Sequence, residues 1–368
     1  MKITQVISDS NVGGAGILVA SICESLSHDF DMEVILPTGS SLIGRIDGRR
    51  VKITEMPFAK DESFAIGDVL RFSSYFSSSR PDIIHTHACT SARLGARLST
   101  NAVLLSTRHC ARGQKVPHSR ARAALYRYCT DLTVSTAGCV RDELIGEGVD
   151  EKRIKVIQNG SKRPQKPDTD TVLALKDALS IPQSARVIGC IGRLEGVKGQ
   201  DLLIRCAARL LRAFPDLYFL FVGEGAQKER YRALARDLGV LSRTVFTGYT
   251  THPEIYRETF YINVCPSRGT ETSSLAISEC MAQGIPTVAS DFGGNREMIR
   301  HGTDGVLFAT EDVSSLYSAI AGLLSAPDRA RKMADEARAR YERDFTLERM
   351  VRDYRKLYSE CAGAFCAR

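Results

Sequence analysis

Short apolar runs alternate with segments of helical period from one end of the chain to the other. In the first half, runs over residues 3–8, 33–36, 82–87, 102–106 and 132–135 read as strands, and the amphipathic stretches 14–27, 64–78 and 137–147 read as helices. The second half keeps the rhythm, with strands over 187–191, 217–222, 244–247, 261–265, 286–290 and 306–308. Helices are expected there over 200–213, 228–237, 275–283, 313–324 and 328–343. The strand runs are nearly continuous in apolar residues instead of alternating, which is what parallel sheets covered on both faces require. Residues 161–171 (SKRPQKPDTDT) are Pro-rich, charged and without period, and read as a linker. The pattern therefore predicts an α/β chain of two Rossmann-like parallel-sheet domains, residues 1–163 and 164–345. A terminal helical stretch, 346–368, is expected to pack back on the first. Two such halves would face each other across a cleft at the carboxyl ends of their strands, where ligands of these folds bind.

Composition sharpens this picture in a few places. A chain of 368 residues suits two domains, and 43% hydrophobic with 25% charged residues excludes a disordered protein. No apolar run reaches the ~20 residues of a membrane span, and the first residues lack a signal peptide's apolar stretch, so a cytoplasmic location is expected. The 11 cysteines are scattered without a CxxC and read as free thiols of a reducing compartment. The net charge of +7 is modest, but between Asp82 and Asp131 there is no carboxylate at all. That stretch carries Arg93, Arg97, Arg108, Arg112, Lys115, Arg120, Arg122 and Arg127 with four of the 7 histidines, His109 among them. The local positive field would attract phosphate, anionic lipid or an acidic substrate. His109, Arg112, Lys115, Arg120 and Arg122 are accordingly expected on the side of an anionic substrate or membrane, peripheral to an inner membrane face. The bland reading is a solvated basic helix. Few aromatic residues interleave with these cations, which argues against nucleic acid.

Three loops carry candidate chemistry. Gly13-Gly14-Ala15-Gly16 follows the first strand and enters a helix, a turn at which backbone N–H groups can approach a phosphate or sugar. It fits no dinucleotide fingerprint. Gly192-Arg193-Leu194-Glu195-Gly196-Val197-Lys198-Gly199 follows the first strand of the second domain, so that a guanidinium fork and a mobile ammonium can converge on one diphosphate. The third, from Cys265 to Gly284, runs strand, loop, helix and holds two carboxylates, Glu271 in the loop and Glu279 on an otherwise apolar helix. A carboxylate there is costly unless donors meet its oxygens; two ribose hydroxyls would serve, and so would a core arginine. Two further patterns are discounted. Asp168-Thr169-Asp170 matches a metal-binding DxD but lies in the linker, and His85 with His87 lacks further ligands for zinc. No metal or cofactor is expected.

Glu271-x7-Glu279 together with Arg193 and Lys198 resembles the retaining nucleotide-sugar glycosyltransferases of family 4, which have the GT-B fold. Gly13-Gly14, Asp82-Ile83-Ile84-His85-Thr86-His87, Val156-Ile157-Gln158-Asn159-Gly160, Val222-Gly223-Glu224-Gly225, Thr247-Gly248 and Gly293-Gly294-Asn295-Arg296-Glu297 match in order. The resemblance implies that Arg193 and Lys198, beside Gly192 and Gly223, hold the donor diphosphate, and that Glu279 binds the nucleotide ribose. It places Glu271 and the backbone of Thr272, Ser273, Ser274 and Leu275 on the transferred sugar, Gly13 and Gly14 against the phosphate or sugar, and His87 near the reacting carbon. The family often has Gly-Phe-Gly after the first glutamate; Thr272-Ser273-Ser274 stands here, which bears on the donor sugar. The activity implied is sugar transfer, with retention and without metal, from a UDP- or GDP-sugar to a saccharide or lipid-linked hydroxyl acceptor in polysaccharide or glycolipid synthesis. The alternatives are a nucleotide-sugar epimerase or phosphorylase on the same fold, or a non-catalytic subunit that binds nucleotide sugar or membrane.

Overall fold

The computed structural model describes residues 1–9, 13–60, 64–111 and 120–366. The chain divides into two compact units, Met1–Asn159 with Leu347–Arg368, and Gly160–Thr346. The sequence pattern put the first crossing after residue 163; the structure puts it at Gly160.

The first unit holds strands β1 (Lys2–Ile7), β2 (Asp31–Pro37), β3 (Lys52–Met56), β4 (Ile83–His87), β5 (Val103–Arg108), β6 (Leu132–Ser135) and β7 (Ile154–Val156). They form one sheet in the order β3-β2-β1-β4-β5-β6-β7, parallel throughout. Helices α1 (Gly14–Leu26), α2 (Ile66–Ser79), α3 (Thr90–Ser99), α4 (Arg120–Cys129) and α5 (Gly138–Gly146) connect them. Strands β1, β2 and β4 are buried almost end to end, as continuous apolar runs require.

In the second unit, β8 (Arg186–Ile191), β9 (Leu217–Val222), β10 (Thr244–Phe246), β11 (Phe260–Cys265), β12 (Thr287–Ser290) and β13 (Val306–Phe308) form a parallel sheet in the order β10-β9-β8-β11-β12-β13. Its helices are α6 (Thr169–Ala178), α7 (Gln200–Ala213), α8 (Lys228–Asp237), α9 (Pro253–Glu258), α10 (Leu275–Gln283), α11 (Asn295–Met298), α12 (Val313–Leu324) and α13 (Pro327–Asp344). Ile188, Phe219, Phe221, Ile262, Val264 and Val288 bury the sheet under α7 and α12. The last helix, α14 (Leu347–Cys366), belongs to the first unit and packs on α1.

Several elements escaped the hydrophobic pattern. Strand β3 is a half-exposed edge and β7 is three residues long, so neither offers a continuous apolar run. Helix α3 is rich in Ser and Thr and interrupted by Gly95, a glycine required because a Cβ would press on the Val69 carbonyl and Phe72. The segment taken for a linker also ends sooner than expected. Asp168 accepts a hydrogen bond from the Thr171 N–H at 2.8 Å and caps α6. The DxD pattern is thus a helix start. Ser161, at the other end of the segment, is buried and bonded to Phe345 and Tyr341.

Among the described residues no helix is long and apolar enough to cross a membrane. The described cysteines are free, and most are buried.

Candidate active site

In each sheet the strand order reverses beside the first strand: β1 lies between β2 and β4, and β8 between β9 and β11. Loops leaving the carboxyl ends of such neighbours run to opposite faces and open a crevice between them. In the second unit the two loops concerned are 192–199 after β8 and 266–274 after β11.

They meet through a charged pair. Lys198 ends a 3-10 turn (Gly196–Lys198), after which Gly199 turns left-handed at the start of α7. Its ammonium is ion-paired with the Glu271 carboxylate, which also accepts a hydrogen bond from the Ser267 hydroxyl at 2.8 Å. Glu271 is buried, at 5% exposure. Burial draws the Lys198 ammonium toward deprotonation, but the Glu271 charge and hydrogen bond outweigh it and hold its pKa above the ordinary value. Arg193 stands apart. Its side chain is 60% exposed and bonded at 2.7 Å to Glu195, although its charge still presses on Lys198. The structure thus brings Lys198 and Glu271 together and leaves Arg193 at the rim, tied to its own turn.

The loop that carries Glu271 is held under strain. Thr270 has φ 63°, a left-handed conformation in which a β-branched residue costs about 1–3 kcal/mol. What holds it is a set of anchors on both sides. Arg268 pairs with Asp201 at 2.5 Å, and the Ser290 hydroxyl donates to the Ser267 carbonyl at 2.5 Å. Gly294 donates its N–H to the Glu271 carbonyl at 3.3 Å, and Ser274 donates to Met298 Sδ at 3.0 Å. Gly294 has to be glycine, because a Cβ there would overlap the Thr272 carbonyl. Thr272 and Ser273 are buried, and Leu275 opens α10. On the other side Gly223, at φ 142°, lies where a Cβ would collide with the Gly192 carbonyl, so the turns after β8 and β9 close on each other.

Glu279 meets an arginine. Its carboxylate accepts from Arg257 Nη1 at 2.5 Å, and Arg257 Nε donates to Gln283 at 2.6 Å. Arg257 is buried at 2% exposure, while a quarter of the Glu279 side chain faces solvent. Burial raises the Glu279 pKa above its ordinary value; Arg257 opposes that and Glu254 adds to it.

The corresponding place in the first unit is furnished differently. Gly13 caps α1, and among the described residues a Cβ built on it would meet nothing within 4 Å. His87 ends β4 but is 1% exposed. Its Nε2 lies 2.8 Å from Gln5 Oε1 and its Nδ1 2.8 Å from His109 Nε2, so protein groups occupy both ring nitrogens. Gln5 donates to the Tyr358 hydroxyl of α14 at 2.7 Å, and that hydroxyl lies 2.8 Å from His85 Nδ1. Burial lowers the pKa of His85 to about 3 and of His109 to about 4, and places that of His87 well below the ordinary range. All three are neutral at physiological pH. His109, half-buried after β5, is the member of the set nearest the surface.

Of the basic stretch, Arg112 and Lys115 lie outside the described residues. Arg120 and Arg122 open α4, with only their backbone described. Among the described residues no three His, Cys, Asp or Glu side chains gather as metal ligands.

Two family models match the chain: Glycosyltransferase Family 4 over residues 12–161 and Glycosyl transferases group 1 over residues 173–340. Between them they cover both units. The chain belongs to glycosyltransferase family 4.

A D-inositol 3-phosphate glycosyltransferase of Corynebacterium urealyticum is 32% identical over 61% of this chain and 56% of its own length. The first relatives are matched over about half their length. Among solved structures, a glycosyltransferase from Rickettsia africae superimposes with a TM-score of 0.84 at 20% identity, covering 98% of each chain. Anabaena HepE in complex with UDP does so with 0.83 at 19% identity, covering 98% of this chain and 100% of that one. These likenesses establish the GT-B fold.

Several residues that shape the site in this family 4 chain gave no local signal. Arg257 sits in a polar helix 22 positions before its partner Glu279. Gln5 and Tyr358 are 353 positions apart, and nothing in either neighbourhood marks them. Ser267 was visible beside Glu271, but its hydroxyl's target depends on the loop's course.

Proposed function

We propose that this protein transfers a sugar, with retention and without a metal ion, from a nucleotide diphosphate sugar to a hydroxyl acceptor. The observation that carries the reading is the Lys198–Glu271 pair at the β8/β11 switch point, a cation and a carboxylate side by side where α/β folds bind ligands. The glycosyltransferase activity named for the Corynebacterium relative supports sugar transfer, and UDP in HepE supports a nucleotide donor, read here as a UDP- or GDP-sugar.

In this reading Lys198, kept cationic, meets the diphosphate charge that grows as the sugar–phosphate bond breaks, with Arg193 swinging in from Glu195 to add its fork. Glu279 takes the ribose hydroxyls. Glu271 and the backbone from Thr272 to Leu275 hold the sugar, beside Gly192 and Gly223. The acceptor oxygen bonds to the anomeric carbon on the face the diphosphate leaves, and its proton passes to a phosphate oxygen. Gly13 and Gly14 offer backbone N–H groups at the start of α1. His87, with both nitrogens engaged, serves by orienting His109.

The test is a panel of UDP-, GDP- and ADP-sugars. Nucleoside diphosphate should be released with one of them, the anomeric configuration of the product should match the donor, and activity should survive EDTA. A donor at ~100 times its dissociation constant should add about 2.7 kcal/mol of stability. Absence of release with every donor would leave the non-catalytic reading standing.

Exposed Leu98, Leu125 and Tyr128, near the α3–α4 junction where Arg97 bonds the Tyr128 carbonyl, favour a second element: peripheral attachment to an anionic membrane holding a lipid-linked acceptor. Salt-sensitive sedimentation with anionic but not neutral vesicles is the expected result.

A further inference from the structure

Glu279 and Gln283 are four apart on α10 and therefore share a face, and that face meets Arg257 of α9. The guanidinium is clamped between them. Nη1 donates to Glu279 Oε2, Nε donates to Gln283 Oε1, and Gln283 in turn donates to the Glu258 carboxylate at 2.9 Å and the Glu254 carbonyl at 3.1 Å. A buried cation so fixed fixes its carboxylate partner as well. The ribose reading of Glu279 and the core-arginine reading are then compatible, because the arginine takes one carboxylate oxygen and a carboxylate has about four acceptor sites.

We propose that Arg257 is a positioning residue for the nucleotide, orienting the Glu279 carboxylate so that Oε1 and the remaining lone pair of Oε2 receive two vicinal ribose hydroxyls. The proposal rests on the reading of Glu279 as the ribose ligand. Arg257 itself touches no ligand; it acts through Glu279. It also opposes two influences that favour the neutral acid: burial of the carboxyl, and the Glu254 charge from the same helix as Arg257. Two more titratable groups stand nearby: the Glu258 carboxylate, held by Gln283, and Cys280, whose thiol burial pushes up to about 12 and which is therefore uncharged. With Arg257 removed, Glu279 should protonate at higher pH and lose affinity for hydroxyl donors as the solution is acidified.

The test is calorimetric titration of the full chain with UDP, GDP and ADP, using the nucleotide that binds wild type most tightly, at pH 8, 7 and 6. Arg257→Met keeps the stem and removes the charge. It should weaken binding about tenfold or more, as loss of a well-placed charged acceptor does, and the deficit should grow as pH falls. In a Glu279→Gln background the same substitution should cost less than about twofold, because a residue acting only through Glu279 has nothing left to act on. Arg257→Lys, the conservative variant, should recover part of the affinity, and it keeps the question answerable if the methionine variant does not fold. Equal losses in both backgrounds, a loss independent of pH, or no loss with either substitution would overturn the proposal. Full nucleotide affinity in Glu279→Gln alone would instead overturn the ribose reading beneath it.

Discussion

The two units share a topology and differ in how their switch points are furnished. At β8/β11 the crevice is charged: Lys198 on Glu271, Arg193 on Glu195 and, beside it, Arg257 of α9 on Glu279 of α10. At β1/β4 the equivalent ground holds an open glycine and a chain of neutral groups, Gln5, His87, His109, Tyr358 and His85. Parallel sheets with one strand reversal offer a crevice whatever the residues, so fold alone does not divide the labour. Side-chain chemistry does. A departing diphosphate needs fixed positive charge, and neutral imidazoles whose protons are set by their neighbours suit hydroxyl groups.

The widest gap between the halves is expected at Lys198. Under the proposed reading Lys198→Ala removes a preorganised charge from the leaving group, and it strands the buried Glu271 carboxylate. Turnover should fall by roughly 10²–10³ in steady-state assays. A variant that keeps its turnover would move charge handling out of the second unit and erase the contrast.

The glutamates come next, and they should fail differently. Glu279→Gln should cost about tenfold or more in nucleoside diphosphate affinity with turnover nearly kept, because the ribose does not change during transfer. Glu271→Gln should chiefly lower turnover, since the sugar gains charge as its bond breaks. Calorimetry and steady-state kinetics on both variants decide, and the reverse pattern would exchange their roles.

Acid should separate the units by stability. The buried imidazoles have folded pKa values below the unfolded value of ~6.5, so the unfolded chain binds more protons under acid conditions and stability rises with pH. The first unit should therefore lose stability as pH falls from about 6.5 toward 4, by at most ~1.4 kcal/mol per pH unit for each imidazole. Urea melts followed at probes in each unit should show the first unit yielding earlier as pH drops. Parallel loss in both would remove the histidine explanation.

The smallest effect concerns the DxD pattern. Asp168→Ala should cost about 0.5–2 kcal/mol through loss of the α6 cap and leave transfer unchanged, with or without added manganese. Activity lost with Asp168 and restored by metal would reopen a metal role.

Much of this was legible in the chain itself. Strand–loop–helix punctuation is local, so continuous apolar runs, Gly284 ending α10 and the turn before Lys198 identify two parallel-sheet halves and place the Arg193–Lys198 and Glu271–Glu279 segments on their loops. Charge and spacing likewise single out Lys198 and the two glutamates as candidates. Only the tertiary structure decided their partners. Whether Lys198 meets Glu271, 73 positions away, or Gln5 meets Tyr358, 353 away, depends on strand order and on where α14 packs. Sequence periodicity carries no record of either, because it reports which face of an element is buried and not what stands opposite. The same limit explains His87, which the sequence singled out at a strand end and the structure buries behind His109. It explains Arg257 too: a polar residue in a stretch the sequence left unassigned, and in the fold the cation that holds Glu279.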